Sequence, residues 1–377
     1  MRTAERKWTV AQIDEAVLDD LALGATVLGT GGGGDPYVGC LMAREAIRRK
    51  GPVPLMDVEA LPERGLVVPV AMMGAPTVLV EKLPSGEELA RVVRALERRV
   101  GRPVVALMSA EAGGVNSTIP VAAAAELGLP LLDADGMGRA FPEIPMCSMH
   151  LAGVAATPMA LADEKGNLEL LETVDNFWTE RLSRTATVAM GGSSIIALYP
   201  MEAGQVRGAV IAGTIGRAIG IGRVLREARS GGFEVLEALL DVTGGRLLFA
   251  GKVVDVLRRT QGGFVRGTAS LDGTGRDEGS VLRLEFQNEN LVAVRDGLPL
   301  ASVPDLLSVL DAETHTPITT EGLAYGQRVE LLGIPSEPVW RTPQGLELVG
   351  PRAFGYDFDF IPLERGGSGE RGLQAGH

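Results

Sequence analysis

Residues 103–135 read PVVALMSAEAGGVNSTIPVAAAAELGLPLLDAD, and the fold turns on how they are parsed. PVVALMS is a short apolar run ending in a Gly113-Gly114 turn, NSTIPVAAAAELG is an alanine-rich helical stretch, and PLLDAD is a second apolar run. Strand, helix and strand within about thirty residues form the unit from which parallel sheets are built. Upstream the rhythm continues with PVPLMDV, LVVPVAMMG and the helix GEELARVVRALERRVG, whose Leu89, Val92, Val93 and Leu96 share one face. The expectation is an α/β domain around a mostly parallel sheet.

Further upstream, TVAQIDEAVLDDLALG carries Val10, Ile13, Val17 and Leu21 at helical spacing, with Thr9 and Gln12 in capping-box positions. It runs into LGTGGGGDP, after which Asp35 as N-cap and Pro36 as first helical residue open a helix that stops at Gly51. Downstream of Leu151 the text reads as extended segments, LELLETV and TATVAMGGSSIIALYP, then a helical stretch from Met201 to Ser230. Ala212, Gly216 and Gly220 recur there every four residues, which signals close helix packing, while Arg207, Arg217 and Arg223 rule out a membrane span. From Asp241, the segments KVVDVLRR, GFVRGTASLDG, SVLRLEFQNENLVAV, QRVELLGI and GLELVGP read as strands of an all-β module. The expected organisation is an α/β domain over 1–240, a β-rich domain over 241–365 and a flexible tail over 366–377.

Composition narrows the function. With 36 basic against 48 acidic residues the net charge is −12, which repels phosphate backbones and anionic lipid, so neither nucleic acid nor membrane is an expected partner. No secretory leader is visible at MRTAERKWTV, and a cytoplasmic protein is expected. Two cysteines, Cys40 and Cys147, and three histidines give no zinc spacing. Glycine, at 50 residues, is about twice its usual share, so many backbone positions require positive φ or close approach.

The four glycines Gly31 to Gly34 resemble a phosphate loop, but a helix rather than a strand precedes them, no acidic strand end follows at dinucleotide spacing, and Asp35 sits where pyrophosphate would lie. A bare backbone facing a small ligand accounts better for four in succession. In open parallel sheets that ligand lies beyond the carboxyl ends of the strands. Those ends deliver Gly74 after Met72 and Met73, Glu111 with Asn116 and Ser117, and Asp133 with Asp135 and Arg139. Crowded carboxylates raise one another's proton affinity and can serve as general base and acid near neutral pH. The catalytic candidates are therefore Glu111, Asp133 and Asp135; Thr30, Gly31, Gly32, Gly33, Gly34, Asp35, Gly74, Asn116, Ser117, Arg139 and His150 are substrate-binding candidates. Arg139 either neutralises the acids or forks onto a substrate carboxylate. No cofactor is expected, though a divalent metal could sit among the carboxylates. Cys147 is a nucleophile only if its thiol ionises, and buried cysteines are usually inert.

The runs ALGATVLGTGGGGDPYVGCLMAREA, LVVPVAMMGAPTVLVEKLPSGEE, GLPLLDADGMGRAFPEIPM, ATPMALADEKGN and GPRAFGYD together resemble the S-methyl thiohydantoin desulfurase family, from about Trp8 to Pro362. The resemblance implies a three-layer α/β domain joined to a β-barrel-like domain. It also implies hydrolysis at a five-membered thiohydantoin-like ring that releases a thiol and leaves a hydantoin, together with association with hydantoinase-type proteins. On that reading Asp135 or Glu111 activates water, Asp133 holds the partner proton or a metal, and the glycine loop with Arg139 binds the ring oxygen. Two alternatives stay open: a metal-dependent amidohydrolase or lyase acting on another small polar substrate, and a non-catalytic subunit or ligand sensor. A symmetric homo-oligomer is the general expectation for this architecture.

Overall fold

The computed structural model describes residues 10–74, 78, 82, 84–231, 234–261 and 263–364. Its first eleven strands are β1 (Gln12–Ile13), β2 (Val53–Met56), β3 (Leu66–Gly74), β4 (Val104–Ser109), β5 (Leu131–Leu132), β6 (Ala134–Asp135), β7 (Met159–Ala162), β8 (Leu168–Leu171), β9 (Ser193–Ala197), β10 (Met201–Glu202) and β11 (Ile211–Ala212). The helices are α1 (Glu15–Leu28), α2 (Pro36–Lys50), α3 (Glu87–Val100), α4 (Gly114–Leu127), α5 (Ser148–Leu151), α6 (Asn176–Ala189), α7 (Ala203–Ala209), α8 (Thr214–Gly231), α9 (Val235–Thr243) and α10 (Pro343–Val349).

The main sheet runs β1-β2-β5-β4-β3-β9-β7-β8. Its middle, β2-β5-β4-β3, is parallel; β9, β7 and β8 continue it antiparallel. Strand β3 shows why it lies at the centre. Val68, Val70 and Met72 enter one core, with Leu18, Leu28, Leu89 and Ile119, while Val67, Ala71 and Met73 enter a second with Phe141, Tyr199 and Trp340. A strand apolar on both faces needs cover on both sides. Helix α4 is buried from Gly114 to Ala125 and packs on α1, α2 and β3, which is why alanine, the residue that lets helices approach, fills it.

The β-rich part comprises β12 (Arg246–Gln261), β13 (Phe264–Gly273), β14 (Val281–Gln287), β15 (Glu289–Arg295), β16 (Leu298–Ser302), β17 (Leu306–Asp311), β18 (Pro317–Ile318) and β19 (Arg328–Ile334), all antiparallel in the order β16-β15-β14-β13-β12-β19-β17-β18. The sheet curls until β15 and β16 touch β17, giving the barrel-like shape. After β19 the chain returns to the first sheet, where the Trp340 indole donates to the Met137 carbonyl at 2.7 Å.

Four local readings change. Helix α1 starts not at Thr9, which lies outside the described residues, but at Glu15, because the Asp14 carboxylate accepts from the N–H groups of Ala16 and Val17. TATVA is the last turn of α6, opened by Asp175 accepting from Trp178, and only the strand after Gly191-Gly192 is extended. The stretch 201–230 is two helices separated by β11, and it contains Ala212 in that strand rather than in a helix face. Close helix packing is made by Gly24 against Ala218 and Gly222 against Asp20, where an added Cβ would overlap a backbone carbonyl. GLELV belongs to α10, since Thr342 caps Gly345 and Pro343 sits at the first helical position. The tail over 366–377 lies outside the described residues. Among the described residues no helix is long and apolar enough to cross a membrane.

Candidate active site

The turn after β4 and the glycine loop meet at their backbones. A Cβ on Gly33 would overlap Gly113, and one on Gly114 would overlap the Gly34 carbonyl, so both loops must be bare to touch. Val115 N–H then donates to the Gly33 carbonyl at 2.8 Å. On its other side the loop grips the β-rich part: Asn290 N–H donates to the Thr30 carbonyl, Thr320 N–H to the Gly31 carbonyl, and the Thr30 hydroxyl bonds both N–H and C=O of Leu307. The four glycines are thus a three-way junction between the parallel sheet, α4 and the curled sheet.

Beside that junction lies an open cavity of about 80 Å³. Its wall is mostly apolar, including Met72, Met73, Met137, Met149, Phe141 and Ile196; its polar groups include Glu111, Asn116, Glu143, Arg184, Tyr199 and Glu289. Gly33 and Gly74 also border it. Among the described residues the Gly33 N–H donates to no protein acceptor, so one donor of the loop is free to meet a ligand.

Glu111, only 6% exposed, is held at both oxygens. Asn116 Nδ2 donates to Oε1 at 2.6 Å and Phe141 N–H donates to Oε2 at 3.2 Å. Asn116 is itself fixed by the backbone of Met72, whose N–H it accepts at 2.8 Å. Burial pushes the Glu111 carboxyl up to about 7, against the lowering effect of Asn116, Phe141 N–H and the Arg139 charge. This places its titration near neutrality.

Facing it from the curled sheet is Glu289, 2% exposed at the start of β15. Burial raises its carboxyl well above the usual range and the Glu111 charge raises it further, opposed by Arg139 and Arg184. Its Oε2 is buried without a hydrogen-bond partner among the described residues. Its carboxyl presses on Gly32, where any Cβ would overlap it.

The other predicted residues go elsewhere. Asp133 Oδ1 accepts from Gly216 N–H at 2.9 Å and its carboxyl also takes the Ile215 N–H, so it serves the first turn of α8. Asp135 accepts from Gly138 N–H at 2.9 and 3.0 Å and closes its own turn, fully buried, its carboxyl raised by burial. Neither borders the cavity. Arg139, placed on the rim by the sequence reading, lies wholly buried behind it, donating to the carbonyls of Ala140, Pro304 and Asp305 and stacking 4.5 Å from the Phe141 ring. Burial lowers its affinity for the proton and the nearby Glu289, Asp305 and Glu111 oppose that, so it neutralises acids and has no fork left for a ligand. Ser117 accepts from Gly113 N–H, Asp35 caps α2 by accepting from Tyr37 N–H at 2.8 Å, and Thr30 and Gly31 are spent on the junction. His150 Nδ1 pairs with Asn176 Nδ2 at 2.9 Å and its ring meets Phe177 edge-on, outside the cavity, with burial lowering its basicity. The Cys147 thiol does border the cavity, but burial pushes it up to about 11, which keeps it neutral.

With Glu111, Asp133 and Asp135 pointing to three destinations, the carboxylates proposed to hold a divalent ion do not converge; among the described residues no group of three or more His, Cys, Asp or Glu is placed to do so. The sequence reading missed Glu289, Glu143, Arg184 and Tyr199. The readable signal was QNEN, residues 287–290, four polar residues in succession inside an apolar hairpin, all buried and with Asn288 at φ 57. Such a run breaks the alternation a strand requires.

Comparison with known proteins agrees with this architecture. The family model described as S-Me-THD-like, N-terminal domain, matches residues 16–173, and that described as S-Me-THD-like, C-terminal domain, matches residues 174–363. A protein from Chromobacterium violaceum, solved by X-ray crystallography, is 25% identical with a TM-score of 0.79, covering 94% of this chain and 100% of that one. No curated protein matches.

Proposed function

Because the chain belongs to the S-Me-THD-like family, we propose that it is a hydrolase that releases a thiol from an S-methyl thiohydantoin-like five-membered ring, with Glu111 as the base. The single observation that supports this is a carboxyl raised by burial to about 7, fixed by Asn116 and Phe141 N–H, at the edge of a methionine-rich cavity. A base is most effective when its proton affinity lies near the working pH. The ring carbon that bears sulfur is electrophilic like an isothiourea carbon. Ionised Glu111 takes one proton from water as the water oxygen bonds to that carbon, then passes the proton to the adjacent ring nitrogen. The adduct carries a hydroxyl and the S-methyl group on one carbon; as the C–S bond breaks and the carbonyl forms, the hydroxyl proton ends on sulfur, so that the thiol leaves and the hydantoin remains. On this reading the N–H of Gly33, a residue that borders the cavity, donates to oxygen on the ring. The polarisable methionine wall suits the S-methyl group.

The test is thiol release, followed colorimetrically with purified protein, from S-methyl thiohydantoin, unmethylated thiohydantoin and hydantoin. Turnover of the first with a stoichiometric hydantoin product is expected. Absence of thiol from every sulfur-containing ring, with intact secondary structure, removes the reading.

A further inference from the structure

Expulsion of a simple alkyl thiolate is assisted when an acid protonates the sulfur as the carbon–sulfur bond breaks, and Glu111 has by then given its proton to the ring nitrogen. We propose, resting on the hydrolytic reading above, that Glu289 of the curled sheet is the acid of that elimination step, and that the glycine loop is bare at Gly32 in order to let its carboxyl reach the cavity.

Four observations converge on it. Glu289 borders the cavity that Glu111 borders, but arrives from the other sheet. Its Oε2 is buried without a protein partner among the described residues, an arrangement that is unfavourable for an idle polar group. A side chain of any size at Gly32 would displace the carboxyl, and this accounts for one glycine that turn geometry does not require: Gly32 lacks the positive φ of Gly31, Gly33 and Gly34. The charged groups facing it are Glu111, which disfavours its ionisation as burial does, and Arg139 and Arg184, which favour it and are outweighed. Arg139 is committed to carbonyls of Pro304 and Asp305, and Arg184 to Glu180 and the Pro142 carbonyl, so neither is a close ion-pair partner. A carboxylic acid kept neutral at pH 7 in an apolar site is the established way for a glutamate to act as donor.

The step balances. Glu289 gives its proton to sulfur as the C–S bond breaks, and its carboxylate takes the proton of the adduct hydroxyl as the C=O bond forms. Both acids then return to their starting states, and one water has become a ring N–H, a carbonyl oxygen and the thiol hydrogen.

The experiment compares the S-methyl ring with its S-trifluoroethyl analogue, whose thiol is more acidic and leaves without help, in wild type and in Glu289→Gln. The ratio of kcat/KM for the two substrates within one sample does not depend on how much protein folds. Glu289→Gln is expected to lose about 10²-fold or more on the S-methyl ring and less than about tenfold on the analogue. Equal losses on both would show a merely structural role and overturn the assignment. Independently, the infrared difference between wild type and Glu289→Gln at pH 7 is expected to contain the C=O band of a protonated carboxylic acid; an ionised carboxylate band in its place overturns the assignment too. Wild type that releases no thiol from either ring instead sinks the hydrolytic reading, and this assignment with it.

Discussion

Two neighbouring strands of one parallel sheet end in acids, and they use them in opposite ways. After β4, Glu111 reaches a cavity and is held by a side-chain amide and one N–H; after β5 and β6, Asp133 and Asp135 turn back onto the backbone, one onto α8 and one onto its own turn. The difference is side-chain length. Aspartate is short enough to bond N–H groups a few residues away and is readily absorbed into caps and turns. Glutamate overshoots its own turn, so Glu111 needs a partner built elsewhere, and Asn116 on α4 supplies it. A carboxylate at a strand end is therefore free for chemistry only when the nearby N–H groups do not claim it.

The comparison breaks first at Arg139. It is the buried charge nearest Glu111, and at pH 8, where Glu111 is ionised, Arg139→Met should cost about 3–5 kcal/mol, since it strands that carboxylate and the carbonyls of Pro304 and Asp305; chemical denaturation measures it. An unchanged midpoint at pH 8 would mean that ionised Glu111 needs no counter-charge.

A second effect is the pH dependence that Glu111 contributes. The folded Glu111 carboxyl binds its proton up to about 7 against an ordinary 4.5, so the fold favours the neutral form. That preference is fully present below about 4.5 and is lost as pH rises to about 7, so it lowers stability across this window by on the order of 3 kcal/mol. The slope should flatten in Glu111→Gln, read from denaturation midpoints at pH 5 and 8. In the same window kcat/KM should rise with pH and level off above about 7, because the base works ionised.

Smaller effects belong to the second strand end. Asp135→Ala leaves the Gly138 N–H without its acceptor in a buried turn and should cost about 1–3 kcal/mol. Asp133→Ala removes a helix cap and should cost about 1 kcal/mol. In both, turnover per folded molecule should remain within a few-fold of wild type.

The sequence carried the architecture well where periodicity is local. The PVVALMS–helix–PLLDAD unit, Asp35-Pro36 opening α2 and the apolar face of α3 all follow from rules that span a few residues. Helices were misread where a cap lay in polar text, as at Asp175 and Thr342-Pro343. For the site, Glu111, Asn116, Gly33 and Gly74 were legible because strand ends in a parallel sheet share a rim. Glu289 was marked only by the buried polar run QNEN; that it reaches the cavity was not legible, since its approach depends on how the curled sheet docks on the glycine loop, a contact between residues more than 250 positions apart in the sequence, such as Thr30 with Leu307. The direction in which Asp133 and Asp135 point was not legible either: pattern gives the end of a strand but not which N–H groups wait there.

The most direct test places the two strand ends side by side: initial rates of thiol release from S-methyl thiohydantoin at pH 7.5 by equal amounts of folded Glu111→Gln and Asp135→Asn. Loss of about 10²- to 10⁴-fold in the first and retention within a few-fold in the second is the predicted result. An active Glu111→Gln beside an inactive Asp135→Asn would contradict it and move the chemistry to the other strand end.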